Sequence, residues 1–216
     1  MFAPRLPGTA CDPPGGSGLA WGGPARRPVR VGGVACLISA FAGVAQSAPQ
    51  NFAIDAANTH VHWELKHFGT STSRGRFDAI NGSVVLDRDA HTGTASFTIG
   101  TASISTGFAP FDGLLRGQYL LATQEFPSAY FVANRFTFAG DTLASVTGDF
   151  TLRGVSRTLT LRALRFSCRT DTEPAREVCG GDFETEFDRS AFGITHSLPF
   201  VADKVRIVLQ IEAVRQ

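Results

Sequence analysis

From Asn51 onward, apolar and polar side chains alternate with a period of two. Val61, Trp63, Leu65 and His67 fall on one side of the chain, and His62, Glu64, Lys66 and Phe68 on the other. That is the pattern of a β-strand with one apolar face. Gly69-Thr70-Ser71-Thr72 supplies turn chemistry, and Arg74-Gly75-Arg76-Phe77 opens a return strand.

The same period recurs to the end of the chain. Val84 and Leu86 mark one strand, and Ala95, Phe97 and Ile99 the next. Tyr130, Val132, Asn134, Phe136 and Phe138 then form one face of a longer run. Val146, Gly148, Phe150 and Leu152 follow, then Leu159, Leu161 and Ala163, then Phe183, Thr185 and Phe187. Val205, Ile207, Leu209, Ile211 and Ala213 close the series. One stretch breaks the alternation: between Phe111 and Leu121, Leu114, Leu115 and Leu121 stand at helical offsets, with Asp112 placed to cap the N-terminus and Pro127 beyond the end.

About eight strands joined by short turns, without βαβ alternation, predict an all-β protein. An antiparallel sheet of that size with one greasy face is best closed into a barrel, which removes its exposed edges. Eight strands enclose a lumen that side chains just fill, or that holds one elongated ligand. By parity, Trp63, Leu65, Phe77, Phe97, Ile99, Tyr130, Val132, Phe136, Phe138, Phe150, Leu152, Phe187, Ile207 and Leu209 point inward and are the candidate ligand contacts. For each of them, plain core packing is the competing role.

Composition sharpens this picture. The 216-residue chain has 18 Phe against one Met, two Tyr and two Trp, which suits a strand-rich fold with a wide apolar interior. The first fifty residues differ. Arg26, Arg27 and Arg30 precede an apolar run from Val31 to Ala48, and Ala45 and Ser47 place small residues at a cleavage site. These are the three parts of a secretory signal peptide, expected over residues 1–47, leaving residues 48–216 as one barrel domain. The basic lead-in is long, consistent with initiation at Val29. An exported, periplasmic protein is the expectation.

Cys11 and Cys36 fall in the leader, so the remaining pair, Cys168 and Cys179, reads as a disulfide across a polar loop. Removing the leader's four Arg and one Asp from the whole-chain charge of +1 leaves about −2. No basic stripe is present, which argues against a nucleic-acid partner.

The order of motifs resembles the YceI-like family of exported, lipocalin-like, polyisoprenoid-binding proteins. The matching stretches are Ile54-Asp55, Val61 through His67 with Gly69, Arg74 through Phe77, and Asp112 with Leu115-Arg116. Pro127 with Phe131, Gly148 through Leu152 with Gly154-Val155, Arg189 with Phe192-Gly193, and Asp203 complete the series. The resemblance implies an eight-stranded antiparallel lipocalin-like barrel with one short helix, whose lumen holds an isoprenoid-type or similar long-chain lipid. It implies a bound lipid and no required cofactor. The chain departs from the family at Asn58-Thr59, where His-Ser is usual, and at Leu114, where a histidine usually precedes the Leu-Arg pair.

Polar candidates are few. His67 shares the face of Trp63 and Leu65, so it can meet a ligand's polar end or serve as a structural histidine. Arg74 and Arg76 lie near the same strand end. His60 and His62 share a face that His67 does not, which argues against a three-histidine metal site. Ser190, His196 and Asp203 have the residue types of a hydrolytic triad without a nucleophile elbow, which argues against an enzyme. Two other readings stay open: a solidly packed barrel serving as an interaction module for a membrane redox partner or a second copy of itself, and an enzyme acting on a lumenal lipid.

Overall fold

The computed structural model describes residues 48–172 and 175–216. The leader expected over 1–47, with Cys11 and Cys36, lies outside the described residues. Among those described, the chain forms eleven strands and one α-helix. They are β1 (Gln50–Ile54), β2 (His60–His67), β3 (Ser71–Phe77), β4 (Ile80–Asp87), β5 (Thr92–Gly100) and β6 (Ile104–Ser105), then helix α1 (Ala109–Arg116). After the helix come β7 (Ser128–Ala139), β8 (Thr142–Leu152), β9 (Val155–Thr172), β10 (Ala175–Asp188) and β11 (Val201–Arg215).

Eleven strands make eight staves because three staves are interrupted. β1 and β2 both run antiparallel to β11, with Ile54 opposite Ala213 and His60 opposite Gln210, so they form one stave with a break between them. β3 and β4 form the second stave, pairing with β2 and β1 respectively. β5 and β6 form the third, since Ile99 faces Ile80 and Ile104 faces Phe77. β7 through β11 follow as single staves, each antiparallel to its predecessor, and β11 returns to β1 and β2 to close the ring. This is the eight-stranded antiparallel lipocalin-type barrel, with every stave next to its sequence neighbours.

Each break has a local cause. Between β1 and β2 the ladder is bridged by Thr59, 1% exposed, whose hydroxyl donates to the Glu212 carbonyl at 3.2 Å and accepts from the Glu212 N–H at 3.1 Å. The side chain thus pairs the Glu212 N–H and adds a second bond to its carbonyl, which also accepts from the Asp55 N–H at 2.9 Å. At the β8–β9 hairpin, Arg153 and Gly154 both have positive φ (51° and 73°), the combination a tight two-residue turn requires.

The helix is shorter than the 111–121 stretch and begins earlier. Phe108 stands at the N-cap without a side-chain cap, Pro110 fixes the first turn and Gly117 ends the helix. Asp112 is not the cap. It sits in the first turn and accepts hydrogen bonds from the Thr106 N–H (2.7 Å) and hydroxyl (2.6 Å), tying the β6–α1 link to the helix. Arg116 docks the other end by donating to the carbonyls of Ala102 and Ile104.

Parity mis-assigns β7. Tyr130 and Val132 are 47% and 57% exposed on the outer wall, while Ala129, Phe131 and Ala133 face the core. An extra residue at Asn134 shifts the β7–β8 register between Ala133 and Arg135, which turns the strand by one position and brings Phe136 and Phe138 back inward. The inward placement predicted for Tyr130 and Val132 is therefore corrected.

The outside of the barrel is polar where β3, β2, β11, β10 and β9 adjoin. Arg74, Glu64, Arg206, Glu184 and Arg162 form a continuous ladder of ion pairs across these five strands. Arginine forks held on both sides pull the Glu64 carboxyl below its ordinary value, the bonds from Arg206 and Arg74 being the largest causes. Arg76 pairs outward with Asp78 at 2.6 Å. Arg74 and Arg76 thus belong to the wall and not to the lumen.

Candidate functional site: an apolar lumen beneath the helix

Three apolar cavities succeed one another along the barrel. The lower one, about 50 Å³, lies between Phe52, Leu86, Phe136 and Cys179. The middle one, also about 50 Å³, is lined by Val61, Ile99, Leu159, Ile207 and Leu209 among others. The upper one, about 110 Å³, lies under α1 and its following loop, against Trp63, Leu65, Phe77, Leu115, Leu120 and Leu152. Phe97, Leu161 and Ile211 wall both the lower and middle cavities, and Phe150 and Phe187 wall both the middle and upper ones. Val205 touches the upper cavity and Ala213 the lower, so the three together span eight residue steps of extended β11, about 26 Å.

Aromatic rings set the bore. Phe150, Phe187 and Phe192 form a triangle with centroid separations of 5.6, 5.5 and 5.1 Å, the tilted and edge-on contacts that aromatic pairs favour. A hydrocarbon chain running from the upper to the middle cavity passes Phe150 and Phe187.

The lining is nearly free of polar groups. No charged residue walls the lower or middle cavity, and Arg189 alone does so in the upper. Arg189 is 4% exposed and spends its N–H groups on the carbonyls of Ile194, His196, Val201 and Ala202. It staples the β10–β11 loop; burial lowers its pKa, with Asp203 acting in the opposite sense. Trp63 carries a polar atom that is buried and closed off from the cavity. It is 7% exposed, its ring lies so close to Gly75 that a Cβ there would stand 2.6 Å from Cζ2, and its Nε1–H has no hydrogen-bond partner among the described residues.

Of the residues predicted to face inward, Trp63, Leu65, Phe77, Phe97, Ile99, Phe136, Phe150, Leu152, Phe187, Ile207 and Leu209 line one cavity or two. Phe138 packs on the core and stacks on His91 at 4.9 Å without lining a cavity. His67 sits at the barrel's rim, edge-on to Phe68 with centroids 4.6 Å apart, and lines none of the three. Sequence reasoning missed Phe131, displaced by the bulge, and Leu115, Leu120 and Ile194, which come from the helix and loops where period-two counting has no purchase.

The triad types do not assemble. Ser190 donates its hydroxyl to Asp203 Oδ2 at 2.6 Å and its N–H to Oδ1 at 2.8 Å. His196 stacks on Tyr119 at 5.7 Å instead. Ser190 and Asp203 clasp the start of β11 to the end of β10. Cys168 and Cys179 are bonded to each other across the directly opposed positions of β9 and β10.

At the far end Glu177 pairs with Arg88 at 2.6 Å and Arg215 at 3.4 Å, beside the disulfide and around a polar pocket. At the helix end α1 and its following loop lie over the upper cavity.

A closed eight-stave barrel around an apolar interior is the architecture of lipocalin-type proteins. A sequence model described as YceI-like domain matches residues 52–213, and the chain belongs to that family. A UPF0312 protein of Pseudomonas aeruginosa (strain LESB58) is 29% identical over 187 residues, covering 82% of this chain and 94% of the relative. Protein YceI of Salmonella arizonae is 29% identical over 168 residues, covering 76% and 87%. Among solved structures, Burkholderia cenocepacia BcnA superposes with a TM-score of 0.63 at 24% identity, covering 74% of this chain and 98% of the other. A polyisoprenoid binding domain from Saccharophagus degradans, implicated in plant cell wall breakdown, gives 0.54 at 14% identity, covering 76% and 98%.

Proposed function

We propose that this protein is a periplasmic, non-catalytic carrier that holds an isoprenoid-type or other long-chain amphiphile in its lumen. The observation that carries the reading is the run of three apolar cavities with shared walls. Each methylene removed from water contributes about 0.8 kcal/mol, so a dry tube retains a long chain without precise polar chemistry. The solved Saccharophagus neighbour, a polyisoprenoid binding domain, supports the same ligand class.

A binding role fits the commitment of the Ser190 hydroxyl to Asp203 and of His196 to Tyr119. A periplasmic address fits the disulfide, which oxidising compartments preserve. The test is native mass spectrometry and solvent extraction of protein purified from its own organism. A co-purifying lipid of one chain-length class is expected. Protein that is consistently empty, and that takes up no isoprenoid from detergent micelles, would overturn the reading.

A further inference from the structure

Eight large apolar side chains are strongly exposed among the described residues, and five of them, Phe68, Phe108, Leu114, Tyr119 and Phe200, stand at the helix end of the barrel. Their exposures run from 54% to 66%. They come from four segments: the β2–β3 turn, the lead into α1, α1 with its following loop, and the β10–β11 loop. Tyr130, Val132 and Leu164, the other three, sit on β7 and β9, along the wall.

Separate pieces of chain are held in one rim. Phe68 stacks on Phe200 with centroids 5.9 Å apart, and the Phe68 N–H donates to the Phe200 carbonyl at 2.8 Å. Tyr119 lies over His196. The rim is continuous with the lumen, because Leu114 adjoins Leu115, and Tyr119 adjoins Leu120, both of which line the upper cavity.

The charges at this end complement a phosphate surface. Ten described basic residues pair with carboxylates, from Arg74 to Arg215; away from the helix end, Arg135 and Arg176 have no such partner among the described residues. Lys66, Arg116, Arg153 and Arg157, all near the helix end, have no carboxylate within ion-pair distance among the described residues; they donate to carbonyls or to the Thr72 hydroxyl. Glu125 and the Lys204–Asp188 pair lie nearby, so the excess is local and short-ranged. Exposed aromatic rings flanked by cations that no carboxylate neutralises are what the headgroup layer of a bilayer accommodates: the rings enter the acyl boundary and the cations meet phosphates.

We propose that the helix-end rim docks on the surface of a bilayer containing anionic lipid, bringing the upper cavity against the acyl layer. The inference builds on the carrier reading, which explains why the lumen's mouth meets a membrane. A membrane-protein partner on the same rim is the alternative that the test separates.

The test uses the full chain with vesicles of phosphatidylethanolamine and phosphatidylglycerol, compared with the double variant Phe68→Ser, Phe200→Ser. Both exchanges are at exposed positions outside the lumen, and any contribution of residues 1–47 is common to all variants. Vesicle affinity should fall about tenfold in the double variant, and also when phosphatidylcholine replaces the anionic lipid. Phe200→Trp should be quenched by lipids brominated near the headgroup, and Leu164→Trp, exposed farther along the wall on β9, should not. Equal binding by the double variant, equal quenching at position 164, or sedimentation only with vesicles carrying native membrane proteins would each overturn docking. Isoprenoid uptake from detergent micelles is read in parallel. Loading without vesicle binding overturns docking and leaves the carrier standing, whereas vesicle binding with a lumen that never loads supports docking and removes the carrier.

Discussion

Phe150 and Phe187 approach each other with ring centroids 5.6 Å apart, and each forms part of the wall of both the middle and the upper cavity. Their separation therefore sets how far a chain entering under α1 can travel. Phe150→Trp adds bulk at this point; it should leave the fold intact, because the surrounding space is already open, and shorten the longest isoprenoid retained. Phe150→Ala should cost about 3 kcal/mol, the low end for a phenylalanine truncation at a half-buried site, and admit longer chains. Thermal melts and the chain length of extracted lipid check both. A tryptophan variant that unfolds with no change in ligand length would mean the interior is ordinary core.

Trp63 offers a sharper test of ligand chemistry. Its buried Nε1–H lacks a partner, so Trp63→Phe removes no protein hydrogen bond and should leave the ligand-free protein's stability within about 1–2 kcal/mol, the loss coming from ring volume alone. Nε1 is closed off and the upper cavity presents only apolar atoms, so the indole meets a ligand by its ring alone. Affinities for a short-chain quinone and for a hydrocarbon such as squalene should therefore fall by the same factor, to within about twofold of each other. Competition binding with the two probes decides it; a loss confined to the quinone would show that Nε1–H reaches the ligand's oxygen.

Parity read most staves correctly and failed on β7, for a reason the same strand supplies. Alternation counts residues as if every ladder were uninterrupted, and Asn134 inserts one residue that no hydrophobicity pattern announces. Phe136 and Phe138 were placed properly, and Tyr130 and Val132 took the wrong face because they were counted back through the bulge. The breaks at 55–59 and 78–79 did no such harm, since each stave was read from its own apolar residues. The barrel and the Cys168–Cys179 pair were legible from alternation and cysteine count. The contribution of Arg189 was not, because a buried guanidinium spending itself on carbonyls looks, in sequence, like any surface arginine. The corrected face predicts that Tyr130→Ala changes stability by no more than about 0.5 kcal/mol. Phe131→Ala, at 4% exposure, should cost about 3–5 kcal/mol. Urea titration of the two variants separates the assignments.

The disulfide makes its own prediction. Cys168 and Cys179 are separated by 11 residues, so opening the bond frees a loop whose closure is worth about 3 kcal/mol in the chain-entropy account. Reduction, or Cys168→Ser with Cys179→Ser, should lower the urea midpoint accordingly. The upper cavity lies at the other end of the barrel, so lipid binding should persist in the reduced protein. Loss of binding on reduction would place ligand contacts near the lower end instead.

The clasp between Ser190 and Asp203 predicts how the protein responds to acid. Burial tends to raise the Asp203 carboxyl, but the two bonds from Ser190, with the charges of Arg189 and Lys204, outweigh it and hold the pKa below the ordinary aspartate value. Glu64 is lowered by Arg206 and Arg74, and Asp112 by its bonds from Thr106. A carboxyl whose folded pKa is depressed stabilises the fold above its unfolded value, near 3.9 for Asp and 4.3 for Glu, and that contribution disappears as pH falls through the folded value. Stability should therefore be flat from about pH 7 to 5 for these groups and decline below about pH 4. Asp203→Asn should be less stable at pH 7 and show a shallower acid decline, since one proton-linked step has been removed. Ser190→Ala should move in the same direction by a smaller amount, having lost one of the two bonds. Melts of the three proteins at pH 7, 5 and 3 give the comparison; parallel acid declines in the native chain and Asp203→Asn would show that this clasp plays no part in the response.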